Sequence, residues 1–361
     1  MLTALACALL TGEIIIRTLG VEPSALMVKD AVLGQKYRPG MHASLFDEEA
    51  GRQVDVRINS LGFRDREHDP AARTGLRRAV MLGDSFTAGL SVDVDRSFAR
   101  VAERLLNGQA EGNPAAEWEV VALGVAGYGT GQQLLAYEEV GRRFRPAIVV
   151  LNFFAGNDVS DNSAELSNSP RPYFRLEDGR LVVSRPSQSR QAATAWLNEH
   201  SRLYVWQKRQ TQRLERYVKR SVVVNPVHRV FQAESDDVME RAWAVTEALI
   251  ARLAAEVALD GGRLLVSYIP FSDEVNPDWW EETLRDSPPL RGSRWDFDGP
   301  SKRLAEFCGR AGIDFSSPRE ALLAHPAGER NYFKHGHFNE RGHELYAAYL
   351  AGEIRRLSGG R

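Results

Sequence analysis

"RRAVMLGDSFTAGL", residues 77–90, is the stretch on which the fold turns. A short apolar run at 79–82 stops at Gly83-Asp84-Ser85-Phe86, and Thr87-Ala88-Gly89 then leave open space around the serine. One reading is a strand-to-helix turn whose Asp84 or Ser85 caps the next helix. The other is a turn that lifts the Ser85 hydroxyl to the end of a parallel sheet, where α/β folds set their sites. Gly-Asp-Ser is common turn chemistry, so the tetrapeptide alone leaves both open.

Outward from it, strand and helix periods alternate. A helical stretch at 97–107 is followed by a strand at 119–123 that ends in glycines, then by an amphipathic helix reaching Phe144, broken by Pro146. "AIVVLNFF" (147–154) is a continuous apolar strand that needs cover on both faces. A long helix stopping at Gly261-Gly262 precedes the strand "RLLVSYIP" (263–270), and a helix-Gly-strand unit at 301–317 leads to a final helix at about 340–357. This alternation predicts an α/β fold, a three-layer doubly wound, mostly parallel sheet. The rhythm breaks at about 160–231, read as an insertion over the sheet edge, with a hairpin at "PYFRLEDGRLVVS" turning on Asp178-Gly179.

The chain has 361 residues, 43% hydrophobic and 26% charged, the make-up of a globular protein with a sizeable core. A formal net charge of -2 excludes a global field favouring nucleic acid, and the basic stretch at 209–220 reads as a solvated helix face. Cys7 and Cys308 form no ligand cluster or disulfide framework; Cys308 reads as a small packed apolar group. Residues 1–35 read as an apolar segment and linker. Its run at 2–10 is too short to span a bilayer. It is either a core helix, with a cytoplasmic location expected, or the tail of a longer signal or membrane anchor, with membrane association and an extracytoplasmic location expected.

Three further motifs fall at element ends. "GVAGYGTG" (124–131) is a glycine-rich strand-to-helix turn of the kind that cradles a phosphate, but its spacing matches neither GxGxxG nor GxxxxGK[ST]. The alternative is that Gly127 brings its backbone N–H close to a substrate oxygen. Asn157, in "FAGND", either donates to a developing oxyanion or merely closes a turn. His335, His337 and His343 cluster before and within the last helix, without the carboxylates or cysteines of a metal site, and His343 reads as a core or capping residue.

The order Gly83-Asp84-Ser85-Phe86, Gly127, Gly156-Asn157-Asp158, His337 resembles the four blocks of the SGNH/GDSL hydrolase superfamily. "INSLGFRDRE" (58–67), "GVAGYGTGQQ" (124–133) and "HFNERGHELYA" (337–347) add to the likeness, which spans about 36–357. The resemblance implies the flavodoxin-like fold of that family, no cofactor and no metal. It implies Ser85 as nucleophile and His337 as base, and an oxyanion hole from Ser85, Gly127 and Asn157, with Asp84 and His335 as possible accessories. Relatives carry an acid two or three residues before the histidine, where this chain has His335 and Lys334. They often have Asn where this chain has Ala122. A backbone carbonyl or a distant carboxylate orients His337, or the triad is impaired. An impaired triad predicts a slow enzyme that His335→Asp speeds about tenfold.

The expected function is a serine-dependent acyl-ester hydrolase acting on a small acyl group, such as acetyl, on a carbohydrate or envelope polymer. The alternatives are an O-acyltransferase of the same fold and an impaired carbohydrate-binding relative. Trp279 and Trp280, which suit sugar stacking, read as packing.

Overall fold

The structure, a computed structural model, describes residues 2–19, 26–71, 73–108, 117–167, 169, 171–185, 196–197, 200–208, 210–211, 214, 224, 226–324, 330–334 and 336–359. Helix α1 (Leu2–Thr18) is followed by two antiparallel hairpins, β1 (Met27–Asp30) with β2 (Gly34–Tyr37), and β3 (His42–Asp47) with β4 (Arg52–Arg57). The alternating unit then begins: β5 (Leu76–Gly83), α2 (Ser85–Ala88), α3 (Phe98–Gly108), β6 (Glu117–Gly124), α4 (Thr130–Glu139), β7 (Ile148–Phe154) and α5 (Ala155–Asp158). A third hairpin, β8 (Tyr173–Glu177) with β9 (Arg180–Ser184), precedes α6 (Asp237–Leu259), β10 (Arg263–Ile269), α7 (Pro277–Asp286), α8 (Gly299–Ala311), β11 (Asp314–Ser316) and α9 (Glu340–Ser358).

Five strands form one parallel sheet in the order β11-β10-β7-β5-β6. The first strand to enter, β5, has the second on one side and the third on the other. The crossover direction therefore reverses at β5, which opens a crevice at its carboxyl end. Register brings Gly83 beside Gly124, Leu82 beside Leu151 and Ile269 beside Phe154, so the strand ends form one rim. Successive β5 side chains serve opposite layers. Val80 and Leu82 pack with α4, α6 and α8, while Ala79 and Met81 pack with α3 and α9. All seven residues of β7 are buried, as two-sided cover requires.

Some elements depart from the sequence expectation. The helix expected to reach Phe144 ends at Glu139 and continues as a 3-10 turn, Gly141–Phe144. It is buried from Thr130 to Tyr137, so no polar face survives. Its second cover includes the β1–β2 connection, where Gln132 Nε2 donates to Leu33 O (2.7 Å). The expected boundary at residue 35 falls inside β2, whose Tyr37 is wholly buried in the core. Of the core and anchor readings of the first residues, the core one is not realised over most of α1. Ile16 is buried, but Leu9, Leu10, Ile14 and Ile15 are exposed, and no described helix is long and apolar enough to cross a membrane. Glu13 fastens this helix by accepting the N–H groups of Arg202 and Leu203 (2.9 and 3.0 Å). Of the basic stretch 209–220, only residues 210, 211 and 214 are described.

The 58–67 motif is a clamp. Asn59 Oδ1 accepts the N–H groups of Leu61 and Phe63 (3.1 and 3.0 Å), an Asx-type turn. Arg64, buried, donates to Ala88 O (3.2 Å), Gly89 O, Val92 O (2.6 Å) and Asp55 O (3.2 Å), joining the segment after Ser85 to the second hairpin. Asp65 Oδ2 accepts the Ala122 N–H (2.8 Å) and faces Arg100 and His68.

Candidate active site

Ser85 opens α2 directly after β5, and both readings of the opening turn meet there. Asp84 caps the helix, its Oδ1 accepting the Phe86 N–H (2.9 Å), while the Ser85 hydroxyl faces the crevice. The tight join needs Gly124: a Cβ there would lie 2.5 Å from the Ala88 nitrogen. Ser85 Oγ is 2.7 Å from His337 Nε2, across 252 residues of chain. The imidazole sits on a short loop whose ends are tied by Phe333 N–H to His337 O (2.9 Å) and Asn339 N–H to Asn331 O (3.1 Å). Its ring lies 4.8 Å from that of Phe86, which also packs on Phe154 and Phe338.

Gly127 and Asn157 line the same cleft, of about 740 Å³, with Ser85 and His337. Gly127 has φ +77, the left-handed value that the turn from Val125 to Tyr128 requires. That turn is held from outside the sheet: Ala126 N–H donates to Tyr37 Oη (2.9 Å), and Arg171 Nη1 donates to Gly127 O (2.7 Å) while pairing with Asp161 (2.6 Å). Asn157 Nδ2 reaches Tyr128 O at 3.3 Å. The rest of the cleft combines Phe154, Phe271 and Leu290 with Asp273, Asp286 and Ser287.

The acceptor for the other ring nitrogen is one the sequence reading did not name. Both carboxylate oxygens of Glu49, in the β3–β4 turn, lie 2.9 Å from His337 Nδ1. Of the two ways left open to orient His337, the structure contains the distant carboxylate, so the vacancy that predicted an impaired triad is filled. "FDEEAGRQ" announces a hairpin turn and nothing more, which is why Glu49 was missed. Lys334 is turned to Glu282 (2.8 Å), and His335 lies outside the described residues. His343 takes no part: it is buried, its Nδ1 accepts the Phe98 N–H (3.1 Å), and burial pushes its pKa down to about 3.

The site's charges are tuned by these contacts. Desolvation opposes the imidazolium, yet the hydrogen bond and charge of Glu49, aided by Asp84, carry the His337 pKa above its ordinary value. Glu49 shows the complement: desolvation would raise it, and His337 holds it below the usual carboxylate range. Asp84, fully buried, is pushed up to about 6 by desolvation. Among the described residues no cluster of His, Cys, Asp and Glu could hold a metal ion.

Residues 81–345 match the model of the GDSL-like lipase/acylhydrolase family. The chain belongs to this family. The GDSL-like match begins downstream of Glu49, whereas Ser85, Gly127, Asn157 and His337 all fall within it. No curated protein matches the chain. Among solved structures it is similar to the acetyl xylan esterase AlAXEase, at 12% identity and a TM-score of 0.42, covering 77% of this chain and 99% of that one. It is also similar to a lipase/acylhydrolase from Enterococcus faecalis, at 13% identity and a TM-score of 0.41, covering 77% and 95%. These likenesses are distant, and the GDSL-like family assignment rests on the match over 81–345.

The side chains expected to pack do so. Cys308 and Trp279 are buried, and Trp280 meets Trp295 and Phe297 edge-on, at 5.1 and 5.0 Å.

Proposed function

We propose that this GDSL-like acylhydrolase is a serine-dependent carboxylic-ester hydrolase that removes a small acyl group, such as acetyl, from a carbohydrate or envelope polymer. The observation that carries the reading is the 2.7 Å contact between Ser85 Oγ and His337 Nε2 in a cleft shared with Gly127 and Asn157. With Nδ1–H directed at Glu49, Nε2 is the unprotonated nitrogen and can take the serine proton. Ser85 Oγ then bonds to the acyl carbon, and the carbonyl oxygen becomes an anion facing the N–H groups of Ser85, Gly127 and Asn157. Collapse breaks the ester C–O bond, and His337 returns the proton to the leaving alcohol. Water repeats the sequence on the acyl-enzyme and restores Ser85. Aromatic walls beside hydroxyl-accepting carboxylates support a polyol alcohol as the leaving group.

Purified protein assayed on p-nitrophenyl esters of rising chain length should prefer the shortest acyl groups, and Ser85→Ala should abolish turnover. Retained turnover in Ser85→Ala would remove the reading. Acyl transfer to an added sugar in place of free acid would make the protein an O-acyltransferase.

A further inference from the structure

We infer that Glu49 is the positioning acid of the catalytic histidine, delivered by the turn of an N-terminal hairpin, and that Gly336 is the space that admits it. The inference rests on Ser85 and His337 being nucleophile and base.

Three donors converge on the Glu49 carboxylate. His337 Nδ1 meets both oxygens at 2.9 Å, and Oε2 also accepts the His337 backbone N–H (3.3 Å) and the Ser91 hydroxyl (3.3 Å). A carboxylate that merely drifts against a histidine has no reason to bind both its ring and its backbone. The contact orients the imidazole and keeps Nε2 free of a proton, and the anion stabilises the imidazolium formed during attack.

Gly336 supplies an independent observation. It does not have a positive φ, so its backbone does not demand glycine. What a side chain there would meet is the incoming acid: a Cβ at 336 would stand 2.7 Å from Glu49 Oε1 and 2.8 Å from Cδ, so the carboxylate would have to leave its place. The loop that lacks an acid of its own is open at the position through which this one arrives.

The hairpin is mounted to hold that position. Asp47 closes its turn by accepting the N–H groups of Ala50 (2.8 Å, side chain) and Gly51 (2.9 Å, backbone). Val54 and Val56 are buried, and Arg64 grips Asp55 O with the same guanidinium that holds Ala88 O and Val92 O after the nucleophile. One buried arginine thus registers the acid-bearing hairpin to the serine-bearing turn.

The test compares Glu49→Gln, Gly336→Ala and their double variant with Ser85→Ala, using p-nitrophenyl acetate, thermal melting and NMR titration of the His337 ring. Glu49→Gln should lower kcat by about 10²–10⁴-fold with little change in KM. It should also move the His337 titration and the acidic limb of the rate profile to lower pH, because an anion that favoured the imidazolium is gone. A structural role alone would move neither. Gly336→Ala should lower kcat in the same way and add little to Glu49→Gln, since both remove one contact. Folded Glu49→Gln with unchanged kcat and titration, beside inactive Ser85→Ala, would overturn this inference and leave the esterase standing. Should Glu49→Gln not fold, Gly336→Ala with full activity would overturn it equally. Active Ser85→Ala would sink both readings.

Discussion

At the scale of single residues, the site is governed by what surrounds His337. In the proposed mechanism its neutral form accepts the serine proton, and the carboxylates of Glu49 and Asp84 hold its pKa above the ordinary 6.5. Activity is therefore absent while the ring stays protonated and rises as pH passes through that raised value. The profile of kcat/KM should show an acidic limb above 6.5; a limb below it would contradict the charge arrangement. The tenfold gain expected of His335→Asp from a vacant acid position does not apply, because Nδ1 already has two carboxylate oxygens at 2.9 Å. His335→Asp should leave kcat unchanged, and a clear rise would show that Glu49 does not satisfy the ring in solution. Asn157→Ala removes one proposed oxyanion donor and should lower kcat by about 10²–10³-fold at similar KM. Equal losses in binding and turnover would place Asn157 in a merely structural role.

At the scale of elements, the molecule joins pieces distant in sequence through buried charge. Asp65 and Arg100 pair at 3.2 Å with side chains almost wholly enclosed, and Asp65 also takes the Ala122 N–H on β6. Arg78 and Glu119 pair nearby at 2.7 Å, and His68 bridges Asp65 and Glu119 at 2.9 and 2.8 Å. Asp65 thus ties the 58–67 loop to the β6 backbone at Ala122. Removing one member strands the others without water. Arg100→Met should cost about 3–5 kcal/mol in urea unfolding, far more than breaking an exposed pair such as Arg96 with Glu344. Comparable losses at the two sites would refute the distinction. The hairpins follow the same logic: the first steadies the Gly127 turn through Tyr37, and the second carries Glu49.

For the whole molecule, stability and activity should respond to pH in opposite directions. Glu274 is buried beside Tyr268, and desolvation pushes its pKa up to about 8. A group raised in the folded state stabilises fully below its unfolded pKa and loses that contribution as pH climbs to the folded one. Glu274 therefore destabilises across the range from 4.5 to about 8, and His337 acts likewise above 6.5. Buried His343 works the other way, but only below 6.5. The carboxylates of Asp65 and Glu119, held low against desolvation by their cationic partners, lose their contribution only in stronger acid. The melting temperature should thus fall between about pH 6.5 and pH 8, while turnover rises, and Glu274→Gln should flatten much of that fall. A melting temperature that is constant or increases over this range would refute the account.

By itself the sequence determined the α/β sheet and the strand-end positions of Ser85, Gly127 and Asn157. Those signals are local: an apolar run, a glycine turn or a cap is complete within a few residues. It also showed that the histidine's loop lacked an acid. Only the tertiary structure decided what replaced it, because Glu49 and His337 are 288 residues apart and a hairpin turn carries no mark of the side chain it will meet. The same holds for Tyr37 beneath the Gly127 turn, and for α4, amphipathic by period yet enclosed because the first hairpin covers its second face. Periodicity reports that a residue is to be buried. Which distant element buries it depends on how the elements pack together.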